Sequence, residues 1–229
     1  TTVIAALAML RGEADAMICG LEGRYERHLR NVDQLIGRRE GVSDLSALSM
    51  LISQRGVTFF TDTYVSVDPG AREIAEMTVL AAEEIRRFGI TPKAALLSHS
   101  NFGSRDSRSA RKMREAAAML REIAPDLMTD GEMHGDAALS AQQRSRVFPH
   151  SLLEGEANLL VFPSLDAANI TLTTVKSMTE ALHVGPILLG TARPAHILTP
   201  SVTSRGVVNM TAIAVVAASQ PVERPILPV

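Results

Sequence analysis

Residues 184–210 read VGPILLGTARPAHILTPSVTSRGVVNM. Two short apolar runs, 184–188 and 195–198, are bounded by Gly and Pro and have the length of buried strands. Residues 205–218 are apolar almost all round, which predicts a buried helix. The same alternation extends through the rest of the chain. Helices are predicted over 2–10, 24–36, 107–123 and 165–182, and strands over 16–19, 48–53, 57–61, 94–97 and 158–162. Asp68-Pro69 supplies an N-cap and a proline at the first helical position. Behind it Ala71, Ile74, Ala75, Thr78, Ala82, Ile85 and Phe88 recur at helical spacing. In 107–123, Ala110, Met113, Ala117 and Leu120 share the inward face. Strands separated by helices of this length predict an α/β fold on a parallel sheet covered on both faces. The closing PVERPILPV, with three prolines, predicts an extended surface segment.

The chain of 229 residues is long enough to bury a substantial core, as one large domain or two small ones. Its net charge of −2, with no Trp and two Tyr, offers no footprint for nucleic acid. Cys19 stands alone, so no intrachain disulfide forms, which fits a reducing cytosol and predicts a cytoplasmic protein. No apolar run reaches transmembrane length, and no membrane partner is expected. The chain opens directly on a helix and a strand, TTVIAALAMLRGEADAMICG, which predicts a fragment of something longer.

Several stretches carry a family resemblance. GEADAMICG (12–20) resembles the strand and loop that lead into the active cleft of phosphate acetyl/butyryltransferases, and TFFTDTYVSVDPGAREIAE (58–76) resembles their strand, acidic turn and helix. KAALLSHSNFGS (93–104), DGEMHGDAAL (130–139) and NLLVFPSLDAANI (158–170) resemble the strand-loop elements that follow. GVSDLSALSMLISQRG (41–56), SHSNFGS (98–104) and HILTPSVTSRGVVNMTA (196–212) look like the C-terminal domain of multimodular NADP-dependent malic enzymes. The resemblance implies an α/β fold of two αβα lobes with mainly parallel sheets and a cleft between them, N-terminally incomplete. The first lobe would hold residues 1–40 plus 186–229. The second, 41–185, would carry the dimer contact.

Catalytic positions depart from the family pattern at two places. Anchored on Val207-Val208-Asn209, the family Ser falls on Thr199, the Arg on Pro200 and the Asp on Gly206. Proline has neither charge nor donor for a phosphate, and glycine cannot act as a base toward a thiol. Counting from Gly20, the family Ser falls on Arg24, the Thr on Tyr25 and the Asp on Arg27, while Arg30 keeps the family residue. Arg24 and Arg30 read either as a cationic cleft wall suited to pyrophosphate or carboxylate, or as a solvated helix face. Ser204-Arg205-Gly206 repeats the family tripeptide five residues late, and we read it as chance. Arg205 still stands at a helix start, where the dipole favours an anion, with Asn209 one turn inside.

The loop 98–104 runs from a strand toward a helix and reads as an anion-binding turn through Ser100 or as an ordinary capped turn. In DGEMHGD (130–136), Asp130, Glu132, His134 and Asp136 are spaced by two, which on a strand points all four to one side. A hard-cation site fits that pattern, as do carboxylates that cap helices or line a cleft; the resemblance implies no metal. His28, His150, His183 and His196 read as structural, and Cys19 as packing.

Three functions are carried forward. One is an acetyl-CoA-binding regulatory and dimerisation domain of an NADP-dependent malic enzyme without transferase activity. Its effector contacts would be Arg24, Arg30, Ser100, Thr199, Arg205 and Asn209. NADP and the divalent metal would belong only to the malic enzyme portion, and the assembly would be a homodimer or higher oligomer. The second is an active phosphate acetyltransferase. The third is a purely architectural oligomerisation domain.

Overall fold

Two sheets organise residues 2–219, the part of the chain that the computed structural model describes. In chain order the elements are α1 (Thr2–Leu10), β1 (Met17–Gly20), α2 (Tyr25–Leu35), β2 (Ser46–Ser53), β3 (Gly56–Thr61), α3 (Ala71–Arg87), β4 (Lys93–Leu97), α4 (Arg108–Ile123), β5 (Met128–Met133), α5 (Gly135–Ala138), α6 (Ala141–Val147), β6 (Leu159–Val161), α7 (Leu165–Thr179), β7 (Leu182–Leu189), β8 (Ala195–Leu198) and α8 (Ser204–Ser219). The larger sheet has the order β5-β4-β6-β3-β2-β7, and the smaller pairs β1 with β8 in parallel.

The larger sheet is mixed. The ladders β3–β6, β6–β4 and β4–β5 are parallel, but β2 is antiparallel to both β3 and β7. The sheets are thus mainly parallel, as expected, with β2 as the antiparallel exception. Only Gln54 and Arg55 separate Ser53 from its partner Gly56, and a parallel crossover needs a dozen residues or more, so a hairpin is the one available connection. Gly56 takes φ +111 to complete that turn.

Side-chain alternation covers both faces of the sheet. Phe59, Ala94, Leu96, Leu159 and Val161 join one core with Ile74 and Ile85 of α3 and Met113 and Leu120 of α4. Phe60, Ala95, Leu97 and Leu160 join the opposite core with Ala168 and Leu172 of α7. A third core joins Ala6, Met9, Val32, Ala195 and Ile197 to Leu45 and Leu188, and so draws on both sides of the expected lobe boundary at 40/41. Leu188 sits on β7, whose pairing to β2 runs from Leu182 to Leu189. That single strand therefore runs through the expected lobe boundary at 185/186 and ties the larger sheet to the first lobe.

Three helix expectations change. The N-cap of α3 is Gly70, whose N–H is held by Glu73 Oε2 at 2.7 Å. Asp68 instead pairs with Lys112 of α4, which also donates to the Pro69 carbonyl at 3.0 Å. The helix expected over 165–182 stops at Thr179, because Glu180 turns left-handed (φ 50) and Leu182 enters β7. The last helix buries one stripe, Met210, Ile213 and Ala214, and leaves Val208, Val215 and Val216 exposed. Among the described residues it packs on one side only, against β7, β1 and β8. The PVERPILPV segment lies outside the described residues.

Candidate functional site: the junction of the two lobes

The carboxyl ends of β1 and β8 lie side by side, so the loops that leave them share one edge of the first lobe. Gly20 makes this possible. It has φ +104, and a Cβ there would stand 2.1 Å from the Leu198 carbonyl oxygen. The 21–24 loop is pinned by His28, whose Nε2–H donates to the Glu22 carbonyl and whose Nδ1 accepts from the Thr2 hydroxyl, both at 2.7 Å. A carbonyl only accepts, so the proton sits on Nε2.

Arg24 caps the start of α2, and Arg24, Glu26, Arg27 and Arg30 are exposed along a shallow groove that Tyr25 also lines. Arg24 and Arg30 thus share one surface. Tyr25 turns the other way. Its ring packs on Tyr64 of the second lobe, with centroids 5.4 Å apart and planes at 35°. Its hydroxyl is buried without a hydrogen-bond partner. Burial first, and then the Asp62 carboxylate, holds the phenol in its neutral form far above its usual range.

Asp62 organises the facing wall. Its Oδ1 accepts from the backbone N–H of Tyr64 (2.8 Å) and Val65 (3.1 Å), and its Oδ2 accepts from Ser66 N–H (2.8 Å). Desolvation raises its pKa against the pull of those amides. Cys19, nearby on β1, is half-buried, and burial pushes its thiol up as well, which leaves it a poor nucleophile.

On the β8 side the Thr199 and Ser201 hydroxyls are 3.0 Å apart, and Pro200 is exposed. Arg205 is exposed in the first turn of α8, and Asn209 is half-buried one turn on. At Gly206 a Cβ would stand 2.7 Å from Val202 Cγ2, so a carboxylate side chain there requires Val202 to move aside.

Ser100 is placed elsewhere. It is fully buried in the second lobe, donates to Glu132 Oε1 at 2.7 Å and accepts from Arg105 N–H at 3.0 Å. Glu132, also fully buried, further accepts from Gly103 N–H (3.0 Å) and Arg114 Nη1 (2.9 Å). This carboxylate is the organiser of the 98–106 loop. The sequence alone marks Glu132 only as a candidate cation ligand or as a carboxylate that caps a helix or lines a cleft, and misses this role.

The four spaced residues of DGEMHGD do not share a side. Asp130 accepts from Ser151 and from Leu152 N–H, Glu132 serves the 98–106 loop, His134 Nε2 donates to the His99 carbonyl, and Asp136 accepts from Ala137 N–H. A register shift between β4 and β5 at Leu96/Leu97 breaks the alternation on which the expectation rested. Among the described residues no group of three His, Cys, Asp or Glu side chains converges. No described helix is long and apolar enough to cross a membrane.

Residues 1–215 match the family described as phosphate acetyl/butaryl transferase. The chain is 73% identical over 97% of its length to an NAD-dependent malic enzyme from Rhizobium meliloti, and 52% identical over 95% to an NADP-dependent malic enzyme from Escherichia coli. It spans 29% of the length of each. The EutD phosphotransacetylase of Staphylococcus aureus superposes with a TM-score of 0.87 at 29% identity, over 95% of this chain and 67% of that one. Sequence and architecture agree, and the chain belongs to the phosphate acetyl/butyryl transferase family.

Proposed function

We propose that this chain is an acetyl-CoA-sensing and dimerisation module of a malic enzyme, built on a transferase scaffold that no longer transfers the acyl group. The observation that carries the reading is the content of the lobe junction. Where the family pattern has Ser, Thr and Asp, the chain has Arg24, Tyr25 and Arg27, and the Tyr25 ring spans to Tyr64 of the opposite lobe. Where the pattern has Arg and Asp, it has Pro200 and Gly206, and Val202 fills the space beside Gly206. No base faces Thr199 among the contacts described.

Binding capacity survives where chemistry does not. Arg24 and Arg30 offer guanidinium groups on one exposed surface, and Arg205 stands at the amino end of α8, where the helix dipole adds to its charge. Guanidinium groups of this kind suit a CoA pyrophosphate, and Thr199 and Asn209 complete the proposed contact set. Ser100 drops out of the binding set, because Glu132 and Arg105 occupy it in the protein interior. An effector that prefers one arrangement of the lobes shifts the assembly toward it, and that coupling is reciprocal with the malic active site. The nicotinamide cofactor and divalent metal of malate decarboxylation belong, in this reading, to the part of the malic enzymes that this chain does not span.

Arg30→Ala and Arg205→Ala test the contact set. Each should weaken acetyl-CoA binding to the intact protein by about tenfold, the loss of one charge-assisted contact. Unchanged affinity in both would overturn the site assignment.

A further inference from the structure

A second cavity lies away from the cleft, at the opposite end of β8. It has a volume of about 160 Å³ and sits among the C-terminal half of α3, the 190–194 turn between β7 and β8, and the last turn of α8. It therefore bridges the larger sheet's helical layer and the first lobe.

His196 is the informative residue. It is 4% exposed. Its Nδ1 accepts from the Leu188 backbone N–H at 3.2 Å, so in the neutral ring the proton is on Nε2. Nε2 has no hydrogen-bond partner and is turned away from β7, toward the cavity that His196 lines. A buried N–H donor without an acceptor is a rare arrangement that calls for a ligand.

The surrounding charge says which kind. Three guanidinium groups, Arg39, Arg87 and Arg193, line the cavity against two carboxylates, Glu83 and Glu84. Arg39 is paired with Glu83 at 2.6 Å and Arg87 with Glu84 at 2.7 Å, while Arg193 donates to the Met9 carbonyl. Among the described residues that line the cavity, the balance is one excess positive charge around a buried donor. Burial first, and then Arg87, lowers the His196 pKa to about 4, so the ring is neutral and offers Nε2–H as a donor.

We infer that this cavity binds a small oxyanion, of the phosphate or carboxylate class, that accepts a hydrogen bond from His196 Nε2 and balances the excess guanidinium charge. The volume admits such an ion with a few waters. The inference is independent of the acyl-CoA reading, because it shares no residue with the cleft.

Thermal unfolding of the intact protein tests it, with inorganic phosphate, acetate or malonate titrated in against chloride at constant ionic strength. A saturable rise of the melting temperature in at least one arm is expected, and the arm that saturates identifies the class. His196→Asn keeps an acceptor for Leu188 N–H and removes the Nε2 donor, so saturation should need about tenfold more ion. Should that variant not fold, Arg193→Gln, at an exposed rim position, should weaken saturation in the same direction. A rise without saturation in every arm, or saturation that the folding variants leave unchanged, would overturn the site.

Discussion

Tyr25 carries a hydroxyl that is buried, unpartnered and beside the Asp62 carboxylate. Tyr25→Phe removes that oxygen and keeps the packing on Tyr64, so stability should rise by about 1 kcal/mol in chemical denaturation. A loss of similar size would show that the hydroxyl has a stabilising role. His196 gives a pH signature with a definite sign. Its folded pKa of about 4 lies below the ordinary value of 6.5, so the unfolded chain binds the proton more readily. The stability that neutral His196 contributes is complete above pH 6.5 and is lost as pH falls toward 4, by roughly 3 kcal/mol. His196→Asn should flatten that part of the stability curve, and an unchanged slope would assign it to other groups. The sequence marked both residues, but read Tyr25 only as a missing threonine and His196 only as structural. Which way a ring turns depends on its partners across the lobes, and no local pattern contains those.

At the level of elements, Glu132 is the test case. Its carboxylate holds Ser100, Gly103 and Arg114, so Glu132→Gln removes the charge that pairs with Arg114 and leaves the 98–106 loop under-bonded. A loss of about 3 kcal/mol is expected, with earlier proteolysis within 98–106. Unaltered stability and cleavage would remove Glu132 from its organising role. The strands and helices were largely legible, because their apolar periods match the burial on both faces of the larger sheet. What was not legible depended on tertiary partners. The β2–β3 hairpin requires a length argument, since two strand-like runs four residues apart read alike in parallel and antiparallel sheets. The last helix is apolar in composition but packs on one side among the described residues. The DGEMHGD ligand pattern failed at a register shift. Ser100 looked like a loop donor and is held by an acid that lies more than thirty residues on.

On the scale of the whole molecule, β7 runs unbroken through the expected lobe boundary, and the loops that leave β1 and β8 lie at the opposite end of β8 from the His196 cavity. In the proposed assembly the second lobe carries the contact between copies. Ile170 and Met178 on α7 are 63% and 79% exposed and lie two turns apart, two apolar side chains available for that role. Ile170→Asp combined with Met178→Asp should shift the intact protein to a smaller species in sedimentation, and an unchanged species would place the contact elsewhere. The central claim is a sensor on a scaffold that has lost its chemistry. Its most direct test is a calorimetric titration of acetyl-CoA into the intact protein, with CoA and butyryl-CoA alongside, and an assay for acetyl phosphate on the same sample after inorganic phosphate is added. The account predicts saturable binding of acetyl-CoA and no acetyl phosphate. Formation of acetyl phosphate would make the chain a working transferase, and no binding at millimolar acetyl-CoA would make it an architectural domain; either result contradicts the account.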